Sequence, residues 1–150
     1  MTTIHSDSYR NSHFKLKMTA LETVTAYYNA FNARNWNDML ALVDENITHE
    51  PNQGTPRIGK KLFTEFMQHM DESYSETLKD IVLFSSATEG RIAAEFVVHG
   101  TYKKAEEGLP PAHGQSYVLP AAAFLEVQNG KITRVTTYYN LELWIELVSK

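Results

Sequence analysis

The first half of the chain places apolar residues at the spacing of α-helices. A Thr19-x-x-Glu22 sequence is typical of a helix start, because the two side chains cap each other's backbone. An apolar stripe follows at helical spacing, consisting of Leu21, Val24, Tyr27, Tyr28 and Phe31. It predicts a helix of about 15 residues.

Two further helices are predicted. Asn35 is placed to cap a short second helix with Trp36, Met39, Leu40 and Val43 on one face. Gly59 precedes a third helix, whose apolar stripe is Leu62, Phe63, Phe66, Met67 and Met70. Between them, residues 44–46 predict a polar turn, residues 47–50 a short strand and residues 51–56 a loop rich in proline and glycine.

After Tyr74 the period of the apolar positions shortens to two, which predicts strands. Asn129–Gly130 is a strong tight-turn signal between the last two of them. The predicted strands are residues 81–84, 91–102, 115–127 and 131–140, followed by a short helix in residues 141–150. Helices that precede an antiparallel meander indicate an α+β fold, in which a curved antiparallel sheet wraps three N-terminal helices into a cone with an open mouth. Such a cavity is a natural site for a small ligand.

Composition narrows the functional classes. The chain has 150 residues, which favours one domain, and its 14 basic and 18 acidic residues argue against a nucleic-acid binder. It has no cysteine, so disulfides and thiolate chemistry are excluded. Residues 1–17 are polar and predict a flexible arm before a domain of residues 18–150, with no signal peptide or membrane span. We expect a cytoplasmic protein.

Glu50 is the most informative residue, because it ends a short strand directly before Pro51. Alternation puts it on the side opposite His49, which we expect to pack or to bond at the surface. If Glu50 faces the cone, desolvation raises its pKa and makes it a usable proton acceptor. The alternative is an exposed glutamate at a strand end.

Other polar residues are candidates with equally open alternatives. Tyr27 can donate to a developing oxyanion or simply pack in the core. Arg57 can pair with Glu50, bind an anionic substrate group or lie at the surface. His113, in the loop near the mouth, can bind, gate or be solvent-exposed. No phosphate loop, metal-ligand spacing or Gly-x-Ser-x-Gly turn occurs, so we expect neither a metal nor a cofactor.

The residues from Tyr27 to Gly59 resemble steroid Δ5-isomerases and the wider group of nuclear-transport-factor-2-like and SnoaL-like cyclase domains. The matching positions, in order, are Tyr27, Glu50, Pro51, Gly54 and Gly59. Patterns such as His49-Glu50-Pro51-Asn52-Gln53-Gly54 and Tyr138-Tyr139-Asn140-Leu141 are similar to proteins described as ketosteroid-isomerase-related. The resemblance covers about Met18 to Trp144.

The resemblance implies that Glu50 is the base and Tyr27 the oxyanion donor. The second acid of the isomerases has no counterpart here, because its position falls at Ala122 or Ala123. The resemblance also implies a homodimer through the outer sheet face, with Glu95, Val97 and His99 as candidate contacts. Substrate-binding candidates are Arg57, Phe66, Phe96, Val98, Tyr117, Tyr139 and Asn140.

Two functions stay open at this point. The first is cofactor-free proton transfer, of isomerase, cyclase or dehydratase type, on a small hydrophobic carbonyl compound. The second is a non-catalytic ligand-binding or dimerisation module, since one fold hosts both classes.

Overall fold

The computed structural model describes residues 17–150, in which four helices accompany one six-stranded sheet. The predicted arm lies outside the described residues except for Lys17. The helices are α1 (Ala20–Asn32), α2 (Trp36–Ala41), α3 (Lys60–Ser73) and α4 (Leu141–Val148). None of them is both long and apolar enough to cross a lipid bilayer.

The predicted helix starts are confirmed. The Thr19 hydroxyl accepts from the Glu22 amide over 3.1 Å, and the Glu22 carboxylate accepts from the Thr19 amide over 3.2 Å. Asn35 caps α2 by accepting from the Asp38 amide over 3.2 Å. These contacts satisfy amide groups that the first turn of a helix leaves without partners.

The strands are β1 (Val43–Glu50), β2 (Arg57–Ile58), β3 (Tyr74–Ser85), β4 (Arg91–Tyr102), β5 (Ser116–Gln128) and β6 (Lys131–Tyr139). Their order in the sheet is β2-β1-β6-β5-β4-β3. Strand β1 runs parallel to β6, so the expectation of a wholly antiparallel sheet is wrong for this pair. A parallel pair needs a long connection, which the intervening helix and meander supply.

Two local predictions need correction, and one strand was not predicted. Residues 44–46 belong to β1 rather than to a turn, although pairing with β6 is irregular there. Strand β2 has no counterpart among the predicted elements. Strand β3 begins at Tyr74, well before the predicted residue 81, and its pairing with β4 shifts register between Lys79 and Val82. Asp80 has φ +54° within this shift, which interrupts the period-2 pattern.

The sheet is curved and does not close, and the helices cover its inner face, which confirms the α+β cone. Strand β4 alternates as predicted: Ala94, Phe96, Val98 and Tyr102 are buried, and Glu95 on the other side is exposed. At one end of the cone, Trp144 of α4 packs edge-on against Tyr102 and Tyr117. The elements therefore surround a space between the inner sheet face and the helices.

Candidate active site

A cavity of about 470 Å³ occupies that space, and its wall is mainly apolar. Seven of the nine residues that the sequence proposed for the site line it: Tyr27, Arg57, Phe66, Phe96, Val98, Tyr117 and Tyr139. Residues from six different elements thus meet around one space large enough for a small organic ligand.

Glu50 is not among the lining residues, and the expectation that it faces the cavity is wrong. Its carboxylate accepts from the Thr136 hydroxyl over 2.9 Å and lies 4.0 Å from the Arg134 guanidinium. These partners are on the outer side of the sheet. Since successive strand residues point to opposite faces, the inward position belongs to His49 instead.

Asn140 also lies away from the cavity wall. Its side chain accepts from the Leu143 amide over 3.0 Å and caps α4. Asn140, which was predicted to bind the substrate, is therefore the N-cap residue of α4. His113 is exposed in its loop and does not line the cavity either.

A carboxyl group that the sequence argument did not single out stands in the cavity wall. The Tyr117 hydroxyl donates to Glu76 Oε2 over 2.7 Å. Glu76, Gly100 and Tyr117 are paired neighbours in one row across β3, β4 and β5. A Cβ atom on Gly100 would overlap the Tyr117 ring, so the glycine opens the path by which the phenol reaches Glu76.

Burial raises the pKa of Glu76 above its ordinary value, and the hydrogen bond from Tyr117 opposes part of that rise. Burial and the nearby carboxylates also raise the pKa values of Tyr117 and Tyr139. Both phenols therefore stay protonated at neutral pH and act as hydrogen-bond donors. The arrangement combines a desolvated carboxyl group with one phenol, Tyr117, whose hydrogen bond stabilises the carboxylate form.

A second carboxyl group, Glu106, lies where the loop after β4 borders the cavity. It contacts His69 of α3, and its backbone amide donates to the Tyr102 hydroxyl over 3.1 Å. That hydroxyl donates in turn to the Pro110 carbonyl over 2.8 Å. The buried Tyr102 thus holds this loop in place at the border of the cavity.

Tyr27 and Tyr28 of α1 form the wall beneath the sheet. Their rings meet edge to face at 5.1 Å, and Tyr28 packs against Phe96 at 5.6 Å. Desolvation raises the pKa of Tyr27, so its hydroxyl stays protonated. Tyr27 is consequently a donor suited to an oxyanion in the cavity.

His49 and Arg57 form the opposite part of the wall, where β1 pairs with β2. The His49 ring packs edge-on against Phe63 and Phe66 of α3. Burial, together with the charge of Arg57, lowers the pKa of His49 to about 4, so its ring is neutral at pH 7. Between residues 17 and 150, no three His, Asp or Glu side chains cluster as metal ligands would.

Residues 24–135 match the SnoaL-like domain family. The chain is similar to the crystal structure of a proposed polyketide cyclase from Pseudomonas putida KT2440, with 53% identity and a TM-score of 0.85. That match covers 87% of this chain and 98% of the other. No functionally curated protein matches significantly.

A proposed polyketide cyclase from Silicibacter sp. TM1040 is 46% identical, with a TM-score of 0.85 over 90% of this chain and 99% of that protein. TerC, crystallised with polyporic acid, shares the fold at 15% identity, with a TM-score of 0.71 over 87% of this chain and 98% of that one.

Proposed function

Since the chain belongs to the SnoaL-like domain family, we propose that it catalyses cofactor-free proton transfer on a small hydrophobic carbonyl compound. Isomerisation and aldol-type cyclisation both begin with this step, and the names of the two bacterial relatives favour cyclisation. Glu76 is the proton carrier, in the role that the sequence argument gave to Glu50.

In this mechanism the Glu76 carboxylate takes a proton from the carbon next to the substrate carbonyl. The electron pair of the broken C–H bond moves to the carbonyl oxygen, and the Tyr27 hydroxyl donates a hydrogen bond to the resulting enolate. In an isomerisation, the enolate then regains the proton from Glu76 at another carbon. In a cyclisation, the enolate carbon attacks a second carbonyl group, and the oxygen of that group receives the proton from Glu76. Atoms and charge balance without a further reactant.

The observation that carries the proposal is the Glu76–Tyr117 pair in an apolar wall. Burial raises the pKa of the Glu76 carboxyl group, which makes its carboxylate a stronger base than an exposed one. Tyr117 orients the carboxyl group and is therefore a positioning residue.

The test is exchange of the acidic C–H protons of 2-tetralone for deuterium in D2O, followed by proton NMR. We expect the wild-type protein to accelerate exchange and Glu76→Gln to lower the rate at least about 100-fold. Glu65→Gln, an identical change on the exposed side of α3, is the matched control and keeps the wild-type rate.

Glu50→Gln separates the two assignments. Full exchange in Glu76→Gln combined with loss in Glu50→Gln would restore the base that the resemblance implied. Full exchange in both variants would contradict proton transfer by either carboxylate.

A second candidate, a non-catalytic ligand-binding module, is favoured by one observation. The position expected for a second acid falls at Ala122 or Ala123, and neither alanine has a charge to offer an oxyanion. Ala123 is in addition fully buried. The open cavity serves binding as well as catalysis, and TerC shows that the fold has been crystallised with a small molecule. Binding of 2-tetralone without exchange would support this candidate.

We also propose a homodimer through the outer face of the sheet. Four large apolar side chains are exposed there: Val82 (46%), Phe84 (55%), Val118 (54%) and Phe124 (42%). They extend over β3 and β5 on the same side as Val97 and His99. Several large apolar side chains exposed on one sheet face are typical of an interface.

A further inference from the structure

Two residues that line the cavity, His49 and Arg57, each have a nitrogen atom without a hydrogen-bond partner. His49 Nδ1 and Arg57 Nε are both buried, and neither bonds to any part of the chain that the structure describes. His49 and Arg57 are directly opposite each other across β1 and β2, so their side chains are neighbours on the cavity side. A buried polar group without a partner costs free energy, which a ligand can recover.

The Arg57 guanidinium is held in this position by two weak contacts. One is a 3.5 Å hydrogen bond from Nη2 to the Leu62 carbonyl, and the other is the Phe66 ring, whose centroid lies 5.8 Å away. None of the ion pairs among residues 17–150 includes Arg57. Its positive charge is therefore not balanced by a nearby carboxylate of the described chain.

We propose that His49 and Arg57 bind a carboxylate group of the substrate. The planar guanidinium donates to a carboxylate oxygen through Nε–H, and the neutral imidazole donates through Nδ1–H. This inference rests on the proposed function, because it names a second group on the compound that Glu76 deprotonates. The substrate class is then an apolar keto acid rather than a neutral ketone.

The surroundings favour a carboxylate over a phosphate group. Arg57 supplies one positive charge, and His49 is flanked by Phe63 and Phe66 rather than by further cations. One charge balances a monoanion, whereas a doubly charged phosphate would keep an unbalanced charge against an apolar wall.

Placement on the sheet indicates the shape of the substrate. His49 and Arg57 belong to one edge of the curved sheet, and Glu76 belongs to β3 at the other edge, with β6, β5 and β4 between them. Both groups line the same cavity. A compound whose carboxylate is bound by His49 and Arg57 reaches Glu76 with a different part of its carbon skeleton.

The test compares binding of 2-naphthoate with that of 2-naphthamide, a neutral analogue of nearly the same shape, by calorimetry. We expect naphthoate to bind the wild-type protein at least about tenfold more tightly, the gain of one charge-assisted contact. Arg57→Met should abolish this preference. Arg91→Met removes an exposed arginine outside the cavity and should retain it.

A second measurement uses the unaltered protein and so does not depend on how the variants fold. An anion beside His49 raises the pKa of its ring, so saturating naphthoate should move the NMR titration of this histidine to higher pH. Saturating naphthamide should leave this titration unchanged. Equal affinity of the two probes, failure of both to bind at millimolar concentration, or an unchanged titration would overturn the inference.

Failure of this inference is distinguishable from failure of the proposed function. Glu76→Gln should retain the preference for naphthoate, because Glu76 is absent from the carboxylate site. Loss of exchange in Glu76→Gln with equal affinity for both probes would refute only the carboxylate site. A retained preference for naphthoate together with full exchange in Glu76→Gln would refute only the assignment of Glu76 as the base.

Discussion

The phenol of Tyr117 passes over Gly100 and donates to Glu76 on the next strand over 2.7 Å. A side chain at residue 100 would occupy the space of the ring. The pair therefore depends on three consecutive strands, and its burial raises the pKa of the Glu76 carboxyl group.

Removing the Tyr117 hydroxyl should raise the pKa of Glu76 further, because the hydrogen bond stabilises the charged carboxylate. In Tyr117→Phe we expect the acidic limb of the exchange-rate profile to move to higher pH by about 1 unit, the equivalent of one hydrogen bond to a charged group. The measurement is 2-tetralone exchange as a function of pH. An unchanged profile with a lower rate would indicate that Tyr117 only fills space.

Gly100→Ala should push the Tyr117 ring out of its place and break the bond to Glu76. We expect a loss of about 1–3 kcal/mol in the free energy of unfolding, as for an overpacked core, measured with urea. The control is the same change made in a Tyr117→Ala background, where the ring is gone. An equal loss in the free energy of unfolding in both backgrounds would mean that residue 100 must be glycine for its backbone conformation, not to make room for the Tyr117 ring.

His49 should make the fold sensitive to acid. Its pKa is lowered to about 4, below its ordinary value of 6.5, so the unfolded chain binds a proton before the folded one does. Stability should therefore fall as the pH drops from about 6.5 towards 4, by roughly 2–3 kcal/mol in total.

The check is urea unfolding at several pH values for the wild type and His49→Phe. The phenylalanine keeps an aromatic ring against Phe63 and Phe66 but cannot titrate. Its stability should depend less on pH over this interval. Parallel curves for the two proteins would assign the acid sensitivity to other groups.

A charge on the outer sheet face should dissociate the proposed dimer. We expect Val118→Lys to halve the mass measured by light scattering at micromolar concentration, because burying an unpaired ammonium group is costly. Leu21→Lys, an equally drastic change on the exposed side of α1, should leave the mass unaltered. A monomeric wild-type protein would contradict the interface directly.

Local sequence signals predicted much of the fold. Thr19 and Glu22 mark the start of α1, and alternation along β4 separates the buried Phe96 and Val98 from the exposed Glu95. Such features depend on neighbours in the chain, so periodicity and capping residues are enough to find them. Tyr27, Arg57 and Tyr117, which the sequence proposed as site residues, all line the cavity.

The identity of the carboxyl group in the cavity depended on contacts between distant residues. Alternation shows that His49 and Glu50 face opposite ways, but only packing against Phe63 and Phe66 decides that His49 is inside. Glu76 was missed because the register shift near Asp80 hides the inward alternation of Tyr74, Glu76 and Leu78.

The sequence by itself thus determined the helices, most strands and the α+β class, since these follow from local spacing. The tertiary structure alone decided which side of β1 lines the cavity and which carboxyl group stands opposite Tyr117. Both outcomes depend on strands that are adjacent in the sheet, as Glu76 and Tyr117 are through Gly100, while far apart in the chain.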